Sequence, residues 1–223
     1  MTRQGCEVAE GDDGVGYDNR YSKVREGFRV SESSPSARDR IVAGAADMIS
    51  RRGLNATSIR ETAKHARAPL GSTYHYFPEG KQQLVTEAVR YTGEWTARSL
   101  RKELQAGPVA GLQAFLALWR KIVVDSDFRA GCPVLAVSIE EPAAGRTSAA
   151  LAAAADVFTT WEGLLADSLR EHGAEPERAA NLATLIVAAV EGTVAMCRAK
   201  RSTEPLDRTA EQLRTLILAA VED

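Results

Sequence analysis

The chain of 223 residues has few cysteines and no long apolar run, and each shortage excludes a class of protein. Cys6, Cys132 and Cys197 are too few and too far apart for a disulfide framework, and no C-x-x-C pair suggests a metal site. No segment approaches the ~20 apolar residues that span a bilayer, and the N-terminus lacks the apolar core of a signal peptide. We therefore expect a soluble cytoplasmic protein with no membrane partner, no metal and no cofactor.

The sequence also lacks the alternating pattern of β-strands and any internal repeat. The closely spaced glycines of residues 11–16 have neither the strand nor the helix that flank a phosphate loop, so a linker is favoured over a nucleotide site. Apolar residues instead recur at helical spacing, and the hydrophobic fraction of 44 % allows a sizeable core. We predict an all-α protein. Its helices are expected at about 36–52, 58–65, 71–77, 81–105, 109–125, 133–142, 149–171, 176–200 and 206–221.

Positive charge is concentrated in one part of the chain, although the net charge is only −2. Residues 35–90 carry nine Lys/Arg against five Asp/Glu, whereas residues 91–223 carry fourteen against eighteen. Such a basic segment supports nucleic-acid binding without proving it. Residues 1–34 carry five against seven and are rich in Gly, Asp, Glu and Ser, which is typical of a mobile extension. A minor-groove arm is the alternative for this extension, through Arg20, Lys23, Arg25 and Arg29.

Residues 58–77 are predicted to form a helix-turn-helix. Ser58 begins the first helix with the spacing of a capping box, and Ile59 and Ala63 give that helix an apolar face. Pro69 suits the start of a second helix, which is too short to be stable alone. Two helices joined by a short turn form the unit whose second helix enters the DNA major groove.

Residues 36–90 resemble the TetR family of bacterial transcriptional regulators. The matching residues are Ala45, Ala46, Gly53, Thr57, Ser58, Ile59, Arg60, Ala63, Gly71–Phe77, Lys81 and Leu84. A second match, GCPV-x-x-x-S/A-x-E from residue 131, resembles the LmrA/YxaF-like branch, as does FPEGK at 77–81. Arg67 and Leu70 stand where the family usually has Gly and Lys, and the missing lysine removes one phosphate contact.

The resemblance implies a three-helix DNA-binding unit followed by a six-helix regulatory unit. We therefore divide the chain into the extension (1–34), a helix-turn-helix DNA-binding domain (35–82) and a ligand-binding and dimerisation domain (83–223). The expected protein is a homodimer on double-stranded operator DNA. It is a repressor that releases the operator when a small hydrophobic or aromatic effector shifts the fourth helix.

The DNA contacts are expected from the helix-turn-helix and from the lysine that follows it. A packed ring is the alternative for either tyrosine of the second helix. The expected contact residues are Thr57, Ser58, Leu70, Gly71, Ser72, Tyr74, His75, Tyr76 and Lys81.

Large apolar side chains after residue 90 are candidates for the effector pocket, with ordinary core packing as the alternative for each. The branch suggests flat aromatic ligands such as flavonoids. Glu191 interrupts an apolar face, and we interpret it as a rim or interface residue, with a polar contact to the ligand as the alternative. The pocket candidates are Trp95, Phe115, Leu116, Trp119, Val134, Val137, Phe158, Trp161 and Leu165.

The last two long helices are expected to pair with those of a second subunit in a four-helix bundle. The alternative is that their apolar stripes pack inward within one subunit. The interface candidates are Ala188, Gly192, Leu213, Leu216 and Ile217.

Two other classes of function remain as alternatives. An enzyme could use Cys132 as a nucleophile at a helix N-terminus, but the sequence supplies no base, cofactor loop or metal set, and a packed cysteine is favoured. A ligand-binding or adaptor protein with a decayed helix-turn-helix is suggested by Arg67 and Leu70. Salt-dependent binding to its own promoter would separate the regulator from the adaptor.

Overall fold

A computed structural model describes residues 36–140 and 149–222, so the interpretation of residues 1–34 lies outside the described part. Within these ranges the chain forms nine α-helices and no strand, which confirms the predicted all-α fold. A single 3-10 turn, Leu104–Ala106, follows the fourth helix. The helices are α1 (Ala37–Arg52), α2 (Ile59–His65), α3 (Leu70–Tyr76), α4 (Lys81–Glu103), α5 (Pro108–Asp125), α6 (Pro133–Ile139), α7 (Ala149–Glu171), α8 (Pro176–Lys200) and α9 (Glu204–Val221).

Local signals set most of these helix boundaries. The Ser36 hydroxyl accepts a hydrogen bond from the Asp39 N–H at 3.1 Å, and the Asp39 carboxylate accepts from the Ser36 N–H at 3.2 Å, which is a complete capping box. Proline lies in the first turn of α5, α6, α8 and α9, where no hydrogen bond is lost. Gly53 ends α1 with a φ of 81°, a conformation that favours glycine.

The first three helices pack around fully buried Ile41, Ile49 and Phe77. Phe77 follows α3 directly, and the Arg38 guanidinium lies 5.4 Å from the centre of its ring. The buried apolar cluster continues without a break into α4–α9. The helix-turn-helix therefore shares one core with the rest of the molecule.

α4 is the element that connects the two parts. Its 23 residues span about 35 Å, and it packs against α1 at one end and against α5 and α7 further along. The approach to α7 is closest at Gly93, where an added Cβ would lie 2.2 Å from a methyl carbon of Val157. Only glycine permits this separation without a rearrangement of the two helices.

Candidate nucleic-acid interface and internal cavity

The turn between α2 and α3 leaves one side of α3 on the surface. Thr73 is buried, and its hydroxyl donates to the Pro69 carbonyl at 3.1 Å, which fixes the inner side of the helix. Tyr74 and His75 lie on the outer side, and the Tyr74 ring is 55 % exposed. The outer side of α3 is therefore open to solvent.

The nine predicted DNA-contact residues are not equally accessible. Ser58, Gly71, Tyr74 and His75 are exposed, and Leu70, Ser72, Tyr76 and Lys81 are half-buried.

Thr57 is the exception, because its side chain is only 2 % exposed and its hydroxyl donates to the Gly53 carbonyl at 2.9 Å. Its predicted phosphate contact is therefore corrected: the hydroxyl closes the end of α1 instead. The neighbouring Ser58 hydroxyl accepts from the Glu61 N–H at 3.2 Å and starts α2.

Two charged side chains from the C-terminal part of the chain hold the end of α1. The Glu140 carboxylate, directly after α6, accepts from the N–H groups of Leu54 and Asn55 at 2.6 and 2.9 Å. The Arg198 guanidinium of α8 donates to the carbonyls of Ser50 and Arg51 at 3.0 and 2.6 Å. Carbonyls in the last turn of a helix have no hydrogen-bond donor within the helix, so Arg198 supplies the donors that these two carbonyls of α1 need.

We call this pair of side chains, Glu140 and Arg198, the α1 clamp. Sequence reasoning did not select either residue, since their partners are 85–148 positions away in the chain. Lys81 also lies near Glu140: partial burial lowers the pKa of the lysine, and the carboxylate opposes that effect.

A narrow, partly open cavity lies between α4, α5, α7 and α8, and the space within it that the centre of a water-sized sphere can reach is only about 20 Å³. This space is well below the roughly 300–1,000 Å³ of a formed small-molecule site, so a ligand must displace side chains of the wall. The lining residues are Thr96, Leu100, Leu112, Phe115, Trp119, Trp161, Leu165, Ile186, Val187, Val190 and Glu191.

Four of the nine predicted pocket residues line this cavity, namely Phe115, Trp119, Trp161 and Leu165. Five do not, and their prediction as lining residues is corrected: Trp95, Leu116, Val134, Val137 and Phe158. Adjacent residues of a helix point about 100° apart, so a neighbour of a lining residue faces another layer of the core. The two valines lie on α6, which contributes no lining residue. Phe158 packs edge-on against Trp161, with the ring centres 5.6 Å apart.

The cavity wall contains two polar side chains, Thr96, which sequence reasoning did not select, and Glu191, for which a contact with the ligand was the alternative interpretation. Glu191 is 6 % exposed, so its interpretation as a rim or interface residue is wrong. Thr96 is 2 % exposed. In the described part of the chain, neither Oε2 of Glu191 nor Oγ1 of Thr96 has a hydrogen-bond partner. Helical spacing could have suggested that Glu191 faces inward, but only the packing of α5 and α7 onto α8 encloses it.

Burial also determines the chemistry of Glu191 and Cys132. Desolvation raises the pKa of Glu191 to about 7, and a hydrogen bond from the Cys132 thiol partly opposes that rise. Burial and the nearby Glu191 carboxylate raise the pKa of Cys132 well above its ordinary value, so the thiol stays protonated. Cys132 is therefore the packed cysteine that the sequence favoured, and not an activated nucleophile.

One hydrogen bond joins a lining side chain of α7 to the backbone of α4. The Trp161 indole N–H donates to the Gly93 carbonyl at 3.1 Å, and both groups are buried. A ligand that displaces this indole would therefore break a contact with the helix that begins beside the helix-turn-helix.

Three of the five predicted interface residues are exposed, namely Ala188, Gly192 and Leu216. Leu213 and Ile217 are buried within the subunit, so their prediction is corrected: one turn apart on α9, they form its inward stripe. Leu185 and Met196 extend the exposed apolar side of α8. By length and composition alone α8 could cross a membrane, which is weak evidence, and in the described residues it is the one helix that could.

An exposed short helix in a helix-turn-helix, joined to a helical unit with an internal cavity, defines the class of helix-turn-helix transcriptional regulators. Comparisons with known proteins identify the family within this class. Residues 41–88 match the family model for bacterial regulatory proteins of the tetR family. Residues 108–212 match the model for the C-terminal domain of LmrA/YxaF-like transcriptional regulators.

Similar whole proteins agree with these matches. The HTH-type transcriptional regulator Rv0196 of Mycobacterium tuberculosis is 40 % identical over 83 % of this chain and 96 % of its own length. The regulator YxaF of Bacillus subtilis is 30 % identical over 83 % of this chain and 97 % of its own. A crystal structure of a TetR regulatory protein from Rhodobacter sphaeroides has the same fold, with a TM-score of 0.73 at 22 % identity over 81 % of this chain and 98 % of that one.

The chain belongs to the TetR family of transcriptional regulators, in its LmrA/YxaF-like branch. Members of this family are regulators and not enzymes, which removes the enzyme alternative. They are soluble proteins that bind operator DNA as dimers and respond to small molecules.

Proposed function

We propose that this protein is a cytoplasmic, ligand-responsive repressor that binds its operator as a homodimer and releases it when a small molecule fills the cavity. The observation that carries the proposal is the hydrogen bond from the Trp161 indole to the Gly93 carbonyl, because it links the cavity wall to α4. A ligand that moves this indole also moves the helix that positions the DNA-binding unit.

The DNA-binding surface is formed by α3 and the residues around it. Tyr74 and His75 project from the exposed side of α3, within reach of phosphates or base edges. Leu70, Gly71 and Ser72 form the N-terminal turn of α3, the end that meets base edges in this type of unit. Further phosphate contacts come from Ser58 at the start of α2, from Tyr76, and from Lys81 at the start of α4.

The dimer forms through the exposed apolar sides of α8 and α9. Ala188 and Gly192 are small, so two helices can approach closely there, while Leu185, Met196 and Leu216 supply area to bury. This use of α8 also accounts for an apolar helix that is only partly covered within one subunit. Dimers of helix-turn-helix proteins read two half-sites about 34–36 Å apart, or a multiple of that distance.

The α1 clamp gives the cavity a second route to the DNA-binding unit. Glu191 and Arg198 are seven residues apart on α8, which is about two turns, so they lie on similar sides of the helix. A rotation or shift of α8 around a ligand at Glu191 therefore moves the Arg198 guanidinium, which donates hydrogen bonds to the C-terminal carbonyls of α1. A coupling free energy of ~1–3 kcal/mol between the two sites would weaken DNA binding roughly 5–150-fold.

The test is a fluorescence-anisotropy titration of the protein's own promoter fragment at several salt concentrations. Wild type should bind with a steep salt dependence. A Tyr74→Ala, Lys81→Ala double variant should lose DNA binding while sedimenting as the same dimer. Lys102→Ala, which removes an exposed charge from the far end of α4, is the matched control and should bind normally.

Unchanged affinity of the double variant would refute this assignment of the DNA-binding surface. The second candidate function is an adaptor with a decayed helix-turn-helix. Leu70 favours it, because this residue packs against the core where the family usually places a phosphate-binding lysine. Failure of wild type to bind any promoter fragment would support the adaptor.

A further inference from the structure

The cavity contains a single charged group and no compensating charge. Ten of the eleven lining residues are uncharged, and the remaining one is Glu191. Its Oε2 atom has no hydrogen-bond partner among the described residues, although the side chain is 94 % shielded from solvent. A carboxylate held in this way is costly unless it is paired, so a cation in the cavity would stabilise its charged form.

The groups around Glu191 do not supply that partner. The Cys132 thiol contributes a weak hydrogen bond and carries no positive charge. The lining residues from α4, α5 and α7 are apolar, aromatic or, at Thr96, a hydroxyl. Burial raises the pKa of Glu191 to about 7, and a cation bound beside the carboxylate would favour its charged form.

The remaining polar and aromatic groups of the wall also favour a positive charge. The Thr96 hydroxyl oxygen has no partner in the described structure and can accept a hydrogen bond from a donor in the cavity. Phe115, Trp119 and Trp161 line the same space, and the faces of aromatic rings attract cations. An anion would meet the Glu191 carboxylate with no compensating cation in the wall, so the cavity disfavours it.

Building on the proposed function, we propose that the effector is a lipophilic amine that binds as its ammonium form. Its N–H groups donate to Oε2 of Glu191 and Oγ1 of Thr96, and its hydrocarbon or aromatic part displaces apolar and aromatic side chains of the wall and lies among them. The ion pair forms away from water, where it is stronger than on the surface. This class differs from the neutral flat aromatics that the family branch suggests.

The test uses three probes of matched size on the full-length dimer: phenylbutylamine, phenylbutanol and phenylbutyrate. Isothermal titration calorimetry should give an affinity at least tenfold higher for the amine than for the alcohol, with the carboxylate weakest. Glu191→Gln should lower the affinity for the amine at least tenfold and change that for the alcohol less than threefold. Glu171→Gln, which removes an exposed carboxylate at the end of α7, is the matched control and should leave all three affinities unchanged.

The comparison of probes on wild type needs no variant, so it decides the question even if Glu191→Gln does not fold. Equal affinities for the three probes, binding of none of them, or full amine affinity in Glu191→Gln would each overturn the inference. The proposed function and the proposed ligand class can be tested independently of each other. If neutral compounds release promoter DNA and the amine does not, the repressor proposal stands and the ligand class is wrong. If the amine binds through Glu191 without affecting DNA, the ligand class stands and the repressor proposal is wrong.

Discussion

Replacing Glu191 by glutamine should remove most of a pH-dependent loss of stability. The folded protein holds the Glu191 proton up to about pH 7, whereas the unfolded chain releases it near its ordinary pKa of 4.5. Between these values the folded state binds more protons than the unfolded state, so stability falls as the pH rises, and above pH 7 it levels off. Glutamine cannot ionise and does not follow this fall.

The magnitude follows from the two pKa values. Each pH unit in the interval costs about 1.4 kcal/mol, so the full loss is about 3 kcal/mol, and most of it falls between pH 5 and pH 8. The titratable group that faces Glu191 is Cys132, the residue directly before α6. Its pKa is raised well above the ordinary value, so it does not titrate in this range. The cavity residues of α4, α5 and α7 are uncharged.

The assay is urea unfolding followed by circular dichroism, at about pH 5 and pH 8 and at one fixed dimer concentration. Between the two pH values, wild type should lose about 2–3 kcal/mol more than Glu191→Gln. A constant cost of burying the amide shifts the variant equally at both pH values and cancels in this comparison. Glu171→Gln should follow wild type. Parallel pH dependences for wild type and Glu191→Gln would refute the conclusion that Glu191 is buried without a charge partner.

Three further predictions concern the contacts that join the parts of the molecule. Gly93→Ala should destabilise the protein by ~1–3 kcal/mol in urea unfolding, because the new Cβ would clash with Val157, whereas Gly163→Ala, with nothing within 4 Å, should not. Glu140→Gln should speed hydrogen exchange roughly tenfold at the two backbone amides that it accepts from, since charge-assisted hydrogen bonds become neutral; unaltered exchange would show that the α1 clamp contributes little. Leu185→Glu should shift the dimer toward monomer in analytical ultracentrifugation, and a persistent dimer would place the interface elsewhere.

The helices could be predicted from sequence because their ends depend on nearby residues. The Ser36 capping box, the first-turn prolines and Gly53 each act within a few positions of the boundary that they set. The same holds for α3, where the buried Thr73 and exposed Tyr74 follow from the short helical pattern. The family match then supplied the arrangement of the helices.

Residues whose roles depend on distant packing were harder to predict. Leu213 and Ile217 have the composition of an interface, but the way α9 is rotated against the core turns them inward. The sequence favoured a rim or interface position for Glu191, but the packing of two other helices against α8 buries it. The α1 clamp joins residues far apart in the chain: Glu140 ends the GCPV-x-x-x-S/A-x-E match, but that pattern does not indicate which amides it binds, and no local pattern marks Arg198.

The most direct test of the account is an anisotropy titration of promoter DNA with and without phenylbutylamine, at a concentration that calorimetry shows to saturate the cavity. The account predicts that DNA affinity falls roughly 5–150-fold when the cavity is occupied. A saturated cavity with unchanged DNA affinity would contradict it.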